Sequence, residues 1–319
     1  MTTFKGIRGT AIQVVSSDPS NPETGQIWYN SSSGTLKGYA AATVGWSSGA
    51  NLSTGRNTLA NVGTPTAALA FGGEAAALSN ATESYNGTSW SNGGNLPTGN
   101  AGMGKAGTQT AALIIAGYVP PGTRTNACNI YNGTSWTATT NYPAATNSLN
   151  GCGLQTAALG IGGDAAGTVT NNTYQFNGSV WASAVTMSNP RAGLGAAGIQ
   201  TSALAFGGVS GSASNVVESY NGTSWTSAPT LNTPRSSAGG AGASNTAVLA
   251  IGNSPATTAV ESYNGTSWTT TTSMSTARNW AGAGTQTSAI AAGGNYPPGT
   301  ATELWTGPGS LTTKTITVS

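Results

Sequence analysis

The sequence contains no histidine, only two cysteines and few charged side chains. Without histidine, the chain lacks the commonest general base and the commonest metal ligand, which excludes a Ser-His-Asp arrangement and a copper site with histidine ligands. Two cysteines are too few for a zinc site or a disulfide framework. We therefore expect no enzymatic activity, no cofactor and no metal site.

Charge is scarce as well. Only 6% of the residues are charged, against about 25% in an average soluble domain. The net charge is +2 without a basic run, so we expect no nucleic-acid binding. No run approaches the roughly 18 apolar residues of a membrane helix, and we expect no membrane insertion. The apolar stretch Ala11–Val15 is too short for a secretory signal, so we expect no Sec-type export.

Repetition dominates what is present. The phrase Tyr-Asn-Gly-Thr-Ser-Trp is complete four times and degenerate once, at Tyr85–Trp90, Tyr131–Trp136, Tyr220–Trp225, Tyr263–Trp268 and Phe176–Trp181. If Trp46 is taken as the first, successive Trp residues lie 43 to 46 positions apart. A fixed period of this size indicates a repeat architecture.

Each repeat predicts four short strands. In one module, Thr201–Phe206 ends in a Gly pair, and Val216–Tyr220 is followed by Asn-Gly. Asn-Gly between two β-rich runs predicts a hairpin with a two-residue type I′ turn. The first strand of each module, which precedes the strand that ends in the Gly pair, is rich in Gly and Ala. Small residues suit an innermost position, where strands from every module meet near a central axis. Four strands in about 45 residues, repeated radially, are the pattern of a β-propeller.

These modules resemble kelch-type propeller repeats: an Arg follows the fourth strand, a double Gly closes the second, and a Tyr and a Trp lie on the third and fourth. The resemblance covers Leu36–Gly307 and implies an all-β, six-bladed, kelch-like β-propeller. The sixth module lacks the phrase, whereas Leu36–Trp46 looks like a third-and-fourth-strand hairpin without a first half. We therefore expect an N-terminal strand to close the last blade. In the seven-bladed alternative, Leu36–Trp46 and Leu311–Val318 build a further blade.

Two residue types occur together. Four modules have an Arg ten residues after the Trp and a Glu two residues before the Tyr position, and two modules lack both. The four sets are Arg56 with Glu83, Arg191 with Glu218, Arg235 with Glu261, and Arg278 with Glu303. Joint loss favours a structural, partly buried, bidentate ion pair in each blade, because a stranded buried charge is costly. The functional alternative is a ring of charges at the channel mouth that binds an anion.

Two enlarged loops between second and third strands break the repeat, and function is expected where a scaffold's loops differ. Both present a Tyr beside Pro-Pro. The candidate contact residues for a glycan or a neighbouring protein are Tyr118, Pro120, Pro121, Arg124, Tyr296, Pro297 and Pro298. Stiff turns without a ligand are the structural alternative. Cys128 and Cys152 stand where other repeats have Thr, Val or Ala, so we expect them to be small core residues.

The ends do not repeat. Asp18–Lys37 resembles a segment common in virion and tail-fibre proteins of tailed phages, and it predicts a strand at Gln26–Tyr29, a Ser/Gly turn and a second strand. Ala11–Val15 and Lys314–Val318 predict short strands that pair with each other or with another subunit. We divide the chain into a docking extension (1–35), the propeller (36–307) and a C-terminal strand (308–319).

These features predict a non-enzymatic structural protein of a phage virion, made in the host cytoplasm and displayed on the particle as a tail appendage that contacts the host surface. Its partners would be a host glycan or protein, and other virion proteins bound through the N-terminal extension and the C-terminal strand. One alternative is a head decoration or cement protein. Another, from a different class, is a bacterial carbohydrate-binding or carbohydrate-active propeller.

Overall fold

The computed structural model describes residues 12–294, 299–309 and 311–316. In these ranges the chain is all-β, with 33 strands and no helix. The described residues accordingly include no helix with the length and hydropathy needed to cross a membrane. The chain divides into a terminal unit (residues 1–44 and 306–319) and a repeat unit (residues 45–305).

The strands are numbered along the chain. From residue 12 to 92 they are β1 (Gln13–Val15), β2 (Ile27–Asn30), β3 (Thr35–Ala41), β4 (Gly45–Gly49), β5 (Ala60–Thr64), β6 (Ala67–Phe71), β7 (Thr82–Tyr85) and β8 (Trp90–Asn92). From 104 to 199 they are β9 (Gly104–Gly107), β10 (Ala112–Val119), β11 (Thr123–Tyr131), β12 (Trp136–Thr139), β13 (Thr146–Asn147), β14 (Asn150–Leu154), β15 (Ala157–Ile161), β16 (Asp164–Ala165), β17 (Thr168–Val169), β18 (Thr173–Phe176), β19 (Trp181–Ser183) and β20 (Gly195–Ile199). From 202 onward they are β21 (Ser202–Phe206), β22 (Val209–Ser210), β23 (Ser212–Ala213), β24 (Val217–Tyr220), β25 (Trp225–Ala228), β26 (Gly239–Ser244), β27 (Ala247–Ile251), β28 (Val260–Tyr263), β29 (Trp268–Thr270), β30 (Ala283–Gly284), β31 (Ser288–Ala292), β32 (Thr302–Thr306) and β33 (Leu311–Thr315).

The terminal unit contains one mixed sheet in the order β1-β2-β3-β33, in which only β1 and β2 run parallel. The predicted strand, Ser/Gly turn and second strand correspond to β2, the turn after it and β3. The first of the two predicted pairings, of the end strands with each other, is wrong, because β1 and β33 lie at opposite edges of this sheet; pairing with another subunit stays a prediction. Residues 1–11 and 317–319, which the two predicted end strands include in part, lie outside the described residues.

Asp18 organises the terminal sheet. Its Oδ1 accepts hydrogen bonds from Trp28 Nε1 at 3.0 Å and from Asn30 Nδ2 at 2.7 Å, and its Oδ2 forms a 2.7 Å ion pair with Lys37 Nζ. These hydrogen bonds, led by that from Lys37, lower the pKa of the Asp18 carboxyl to about 2. One loop carboxylate therefore holds two neighbouring strands, β2 and β3, against the preceding segment.

The repeat unit contains six four-stranded antiparallel sheets. We name them sheet I (β5-β6-β7-β8), sheet II (β9-β10-β11-β12), sheet III (β14-β15-β18-β19), sheet IV (β20-β21-β24-β25), sheet V (β26-β27-β28-β29) and sheet VI (β30-β31-β32-β4). In sheets I to V successive strands of each sheet pair in an antiparallel meander, as the repeats predict. Short additional sheets, β13-β16-β17 and β22-β23, extend the loops that follow the second strands of sheets III and IV.

The first strands of the six sheets contact one another in the cyclic order β5, β9, β14, β20, β26, β30 and back to β5. Their side chains are small because neighbouring backbones approach closely: a Cβ on Gly240 would lie 2.3 Å from the carbonyl oxygen of Ala196. Apolar clusters fill the space between neighbouring sheets, as between sheets I and II and between sheets III and IV. This arrangement is consistent with a propeller-like fold.

Sheet VI takes its outer strand from the beginning of the repeat unit. Its order β30-β31-β32-β4 places Gly45–Gly49 beside Thr302–Thr306. The segment Leu36–Trp46 was expected to be one hairpin, and this expectation is wrong. Its first part belongs to β3 in the terminal sheet, and only its end begins β4.

The repeated phrase forms the connection between the third and fourth strands, with Tyr85 paired to Trp90 in sheet I. The predicted two-residue type I′ turn is wrong, because only Gly87, and not Asn86, has a positive φ (95°). Asn86 Oδ1 instead accepts hydrogen bonds from the backbone N–H groups of Thr88 and Ser89, both at 2.9 Å. This side-chain bond supports a four-residue connection.

The Trp of each repeat joins its sheet to the preceding one. Each ring packs against a Tyr, Phe or Trp on the third strand of its own sheet, as Trp90 does on Tyr85 at 4.9 Å between centroids. Its indole N–H donates to an oxygen of the neighbouring sheet or its exit segment. The six bonds are Trp46 to Thr272 O, Trp90 to Ala50 O, Trp136 to Thr82 Oγ1, Trp181 to Thr140 O, Trp225 to Thr173 Oγ1 and Trp268 to Pro229 O.

A second inter-sheet contact comes from the turn between the first and second strands. In sheet II, Gln109 Nε2 donates to Ala68 O at 3.1 Å and to Tyr85 O at 2.6 Å, both in sheet I. The same contact recurs at Gln155 and Gln200. Asn245 and Gln286 make a related one, to one backbone oxygen and one Ser hydroxyl of the preceding sheet. Sheet I has Pro65 at this position and therefore makes no such contact with sheet VI.

Candidate functional site

The structure brings each Arg of the repeats against its Glu. The Nη2–Oε1 distances are 2.8 Å for Arg56–Glu83, 3.0 Å for Arg191–Glu218, 2.8 Å for Arg235–Glu261 and 2.8 Å for Arg278–Glu303. No side chain in these pairs is more than 4% exposed. The pairs are thus more deeply buried than expected, and they present no accessible charge to a ligand.

The expected bidentate geometry, with two nitrogens on two carboxylate oxygens, is not observed; Arg235 alone donates from both Nε and Nη2, and both bonds go to Glu261 Oε1. Arg56 uses Nη1 for two carbonyl oxygens, Gly72 O at 2.9 Å and Ala81 O at 2.8 Å, which leaves one bond from Nη2 to Glu83. The second Glu83 oxygen accepts the backbone N–H of Ser53 at 2.7 Å. The guanidinium is therefore shared between its carboxylate and the loop that joins the second and third strands.

Burial of these pairs shifts the pKa values of their charged groups. Burial lowers the pKa of the buried guanidinium groups of Arg56, Arg191 and Arg278, although the neighbouring Glu opposes that shift. Burial raises the pKa of the Glu303 carboxyl. The hydrogen bonds from Arg278 and Ser275 lower it by more than burial raises it, so the pKa lies below its ordinary value. Glu303 thus remains ionised beside its partner.

The two modules without the pair use other means. In sheet II, Asn100 Nδ2 donates to Ala116 O at 2.8 Å and Asn100 Oδ1 accepts the N–H of Tyr118 at 3.0 Å, so a neutral amide fixes the loop. In sheet III, Tyr142 and Tyr174 pack edge to face with centroids 5.0 Å apart. Because sheets II and III lack both the Arg and the Glu, neither has an unpaired buried charge at these two positions.

The first candidate contact loop is the end of a long hairpin. β10 continues to Val119 and β11 begins at Thr123, so that Pro120-Pro121-Gly122 form the tip and Tyr118 lies opposite Arg124, with a register shift at Ala116. Arg124 Nη2 forms a 2.6 Å ion pair with Asp164 Oδ2 of β16. The guanidinium is therefore tied to the neighbouring loop, whereas Tyr118 remains 37% exposed. Tyr296, Pro297 and Pro298 of the second loop lie outside the described residues.

A ring of left-handed residues lies between the loops, just before the first strands. Its six members have φ between 46° and 58°: Thr58, Gly102, Ser148, Gly193, Ser237 and Trp280. Each backbone N–H from Gly102 to Trp280 donates to the carbonyl oxygen of the preceding member, over 2.5 to 3.2 Å. The Thr58 N–H makes no such bond to Trp280 O, so five of six links are present.

A cleft of about 270 Å³ lies above part of this ring. We call it the Tyr118–Trp280 cleft, and its lining residues are Thr58, Glu74, Ala101, Gly102, Tyr118, Asn147, Ser148 and Trp280. Glu74 is exposed and, among the described residues, has no ion-pair partner. Asn147 Oδ1 is buried without a hydrogen-bond partner.

The cleft combines groups that suit a sugar. Tyr118 and Trp280 offer flat apolar rings with polar edges, against which the C–H face of a pyranose can pack. The Glu74 carboxylate and Asn147 Oδ1 accept hydrogen bonds from ligand hydroxyls, and Thr58 and Ser148 both donate and accept them. Concave shape, aromatic lining and a few polar groups are typical of small-ligand sites.

Sequence reasoning found Tyr118 but missed Trp280, Glu74, Asn147 and Ser148. Trp280 could have been found, because it stands two residues after the repeat Arg, where other modules have Thr, Gly or Ser. Glu74 follows β6, and the adjacent residues Asn147 and Ser148 precede β14, so only the fold brings them to one cleft.

Both cysteines are free and buried. Burial raises the pKa of the Cys128 thiol to about 11 and that of Cys152 to about 12. Cys128 packs with Leu113 and Phe176, in an apolar cluster. The two thiols are inert core groups in this setting.

Comparison of the sequence with protein-family models and with curated proteins gives no match.

Proposed function

We propose that the repeat unit is a six-bladed, kelch-like β-propeller in which sheets I to VI are the blades and β4 closes the ring. The cyclic contacts of the first strands and the place of β4 beside β32 support this proposal. A seven-bladed ring would need a further blade from Leu36–Trp46 and Leu311–Val318. The separation of β3 and β33 into the terminal unit argues against it.

We further propose that the protein is a non-enzymatic virion component that contacts a host-surface glycan through the Tyr118–Trp280 cleft. The cleft is the observation that carries this proposal, since its aromatic rings and unpaired acceptors match the two surfaces of a sugar. The virion assignment rests on the resemblance of Asp18–Lys37 to tailed-phage virion segments. The terminal sheet, which contains the first and last described strands, β1 and β33, is the proposed attachment to other virion proteins.

Binding to a glycan array tests the cleft. We expect Tyr118→Ala and Trp280→Ala each to weaken glycan binding by roughly tenfold or more, which is the loss expected when an aromatic contact and its buried area are removed. Leu154→Ala is the matched control, because Leu154 is an exposed apolar residue that does not line the cleft. Unchanged binding in both cleft variants, with unchanged thermal unfolding, would reject this site.

Immunoelectron microscopy of intact particles tests the location. Label on the tail supports host attachment, whereas label confined to the capsid would favour a head decoration protein. If particles carry none of the chain but the purified protein binds glycans, a bacterial carbohydrate-binding propeller is the better description.

A further inference from the structure

A second cavity, distinct from the cleft, lies among the first strands of the six sheets and has a volume of about 210 Å³. Most of its lining is Gly and Ala. At one structurally equivalent position the six strands contribute Asn61, Lys105, Gly151, Ala196, Gly240 and Gly282. Four of these are Gly or Ala with nothing to offer a ligand beyond backbone, so Asn61 and Lys105 stand out.

Lys105 is the charged residue of this cavity. Its side chain is 8% exposed, and Nζ donates one hydrogen bond, to Gly282 O in sheet VI at 2.9 Å. The described lining residues include no carboxylate. An ammonium has three donors, so two are left without a protein acceptor. A buried cation without a counter-charge is unfavourable, and burial lowers the pKa of Lys105 to about 8.

Asn61 supplies a second, independent feature. Its side chain is 1% exposed, and Nδ2 donates to Ala292 O at 3.3 Å. The amide oxygen, Oδ1, is buried and has no hydrogen-bond partner. The cavity therefore contains unfilled donors on Lys105 and an unfilled acceptor on Asn61, which a purely structural role for either side chain does not explain.

We propose that this cavity binds one small monovalent anion, such as chloride or formate, through the Lys105 ammonium, with a water molecule on Asn61 Oδ1. The anion supplies the missing counter-charge and fills a free donor of Nζ. About 210 Å³ is room for an anion and several waters, since one water occupies about 30 Å³ in the liquid. This site does not depend on the proposed glycan cleft or on the virion assignment.

The probe is sodium formate, titrated into the full-length protein in a buffer otherwise free of small anions, with thermal unfolding and calorimetry as readouts. At pH 7 we expect saturable binding and a rising unfolding temperature. In Lys105→Met, which keeps the length of the side chain and removes its charge, we expect binding to weaken by roughly tenfold to a hundredfold, the size of a hydrogen bond to a charged group. Equal formate responses in both proteins would overturn the proposal.

A comparison at two pH values needs no variant. At pH 10 the Lys105 amine is largely neutral, since its pKa is about 8, so we expect the saturable formate response to disappear. The other titratable lining residue is Cys152, whose thiol, with a pKa of about 12, stays neutral at both pH values. A saturable response that persists at pH 10 rejects the site. If Lys105→Met does not fold, Lys105→Gln serves as the second variant.

Discussion

Five cationic side chains are buried among the described residues of the repeat unit: four guanidinium groups and the ammonium of Lys105. The guanidinium groups each meet a carboxylate and two carbonyl oxygens, whereas Lys105 has one carbonyl oxygen. The same burial is therefore compensated in the first case and largely uncompensated in the second. Removing the charge should therefore lower the free energy of unfolding at the guanidinium positions and raise it at Lys105.

The Arg191–Glu218 pair predicts strong coupling. Arg191→Gln or Glu218→Gln alone should lower the free energy of unfolding by about 3–5 kcal/mol, because each leaves a buried charge unpaired. The double variant should lose clearly less than the sum, as measured by urea unfolding of all four proteins in a double-mutant cycle. Additive losses would contradict the pairing. The half-exposed Arg124–Asp164 pair is the control, with an expected coupling of about 0–1 kcal/mol.

Lys105 predicts a dependence of stability on pH in anion-free buffer. Its pKa is lowered on folding, from 10.5 to about 8, so the unfolded chain binds more protons between these values. Stability should therefore rise as the pH increases from about 8 to 10.5, by up to about 3 kcal/mol. Lys105→Met should be more stable at pH 7 and lack this rise. Parallel pH profiles for the two proteins in urea unfolding would contradict it.

At the scale of elements, side chains at turns determine how sheets meet. The Gln or Asn of the first turn donates to two oxygens of the preceding sheet in sheets II to VI: two backbone oxygens in sheets II to IV, and one backbone oxygen and one Ser hydroxyl in sheets V and VI. Pro65 removes this contact from the junction of sheets I and VI. Missing polar contacts at a junction reduce the free energy that holds two sheets together.

Pro65→Gln should restore that contact. The new amide would reach Ala289 O and Trp305 O, the oxygens equivalent to those that Gln109 contacts, and raise the free energy of unfolding by about 1 kcal/mol relative to Pro65→Ala. Pro65→Ala is the reference, because loss of proline itself acts through the unfolded chain. Gln109→Ala should lower stability by a similar amount. If Pro65→Gln and Pro65→Ala unfold at the same denaturant concentration, the contact contributes nothing.

Elements and registers of the repeats could be read from the sequence because identical strands recur. The Gly pair predicts where the second strand ends: β21 ends at Phe206, directly before Gly207-Gly208, whereas β10 continues past the corresponding position into its hairpin. The turn type could not be predicted, since Asn86 gains two backbone hydrogen bonds that a type I′ turn would not provide. The bidentate geometry failed for a similar reason: carbonyl oxygens of the Gly72 loop compete for the Arg56 guanidinium. The cleft was beyond sequence reasoning because its residues come from separate sheets.

At the scale of the repeat unit, the contacts between sheets are not uniform around the cycle. The indole bonds are present at all six junctions, while the first-turn contact and the Thr58–Trp280 backbone link are both missing between sheets I and VI. Sheet VI is also the sheet built from two distant parts of the chain. Trp90 Nε1 also donates to Thr302 Oγ1 and Asn61 Nδ2 donates to Ala292 O across this junction. Because two recurring contacts are missing there, we expect it to be the weakest of the six.

Native-state hydrogen exchange should detect that weakness. We expect the amides of β5 and β31 to exchange with a lower opening free energy than the equivalent amides of β20 and β15, at the junction of sheets III and IV, because local opening follows the least-stabilised contacts. The measurement compares exchange rates under conditions where opening and closing are fast. Uniform protection around the six sheets would refute this expectation.

The pairing of β4 with β32 also has a consequence for how the protein is made. Residues 45–49 leave the ribosome before any other strand of the repeat unit, yet their partner, Thr302–Thr306, is the last strand of that unit to be synthesised. Sheets I to V can form while translation continues, since their strands are consecutive and domains fold as units during synthesis. Sheet VI cannot, and Trp46 stays without its Trp305 contact for most of that time. The first strand of the repeat unit to be synthesised is therefore the last to pair with its neighbour.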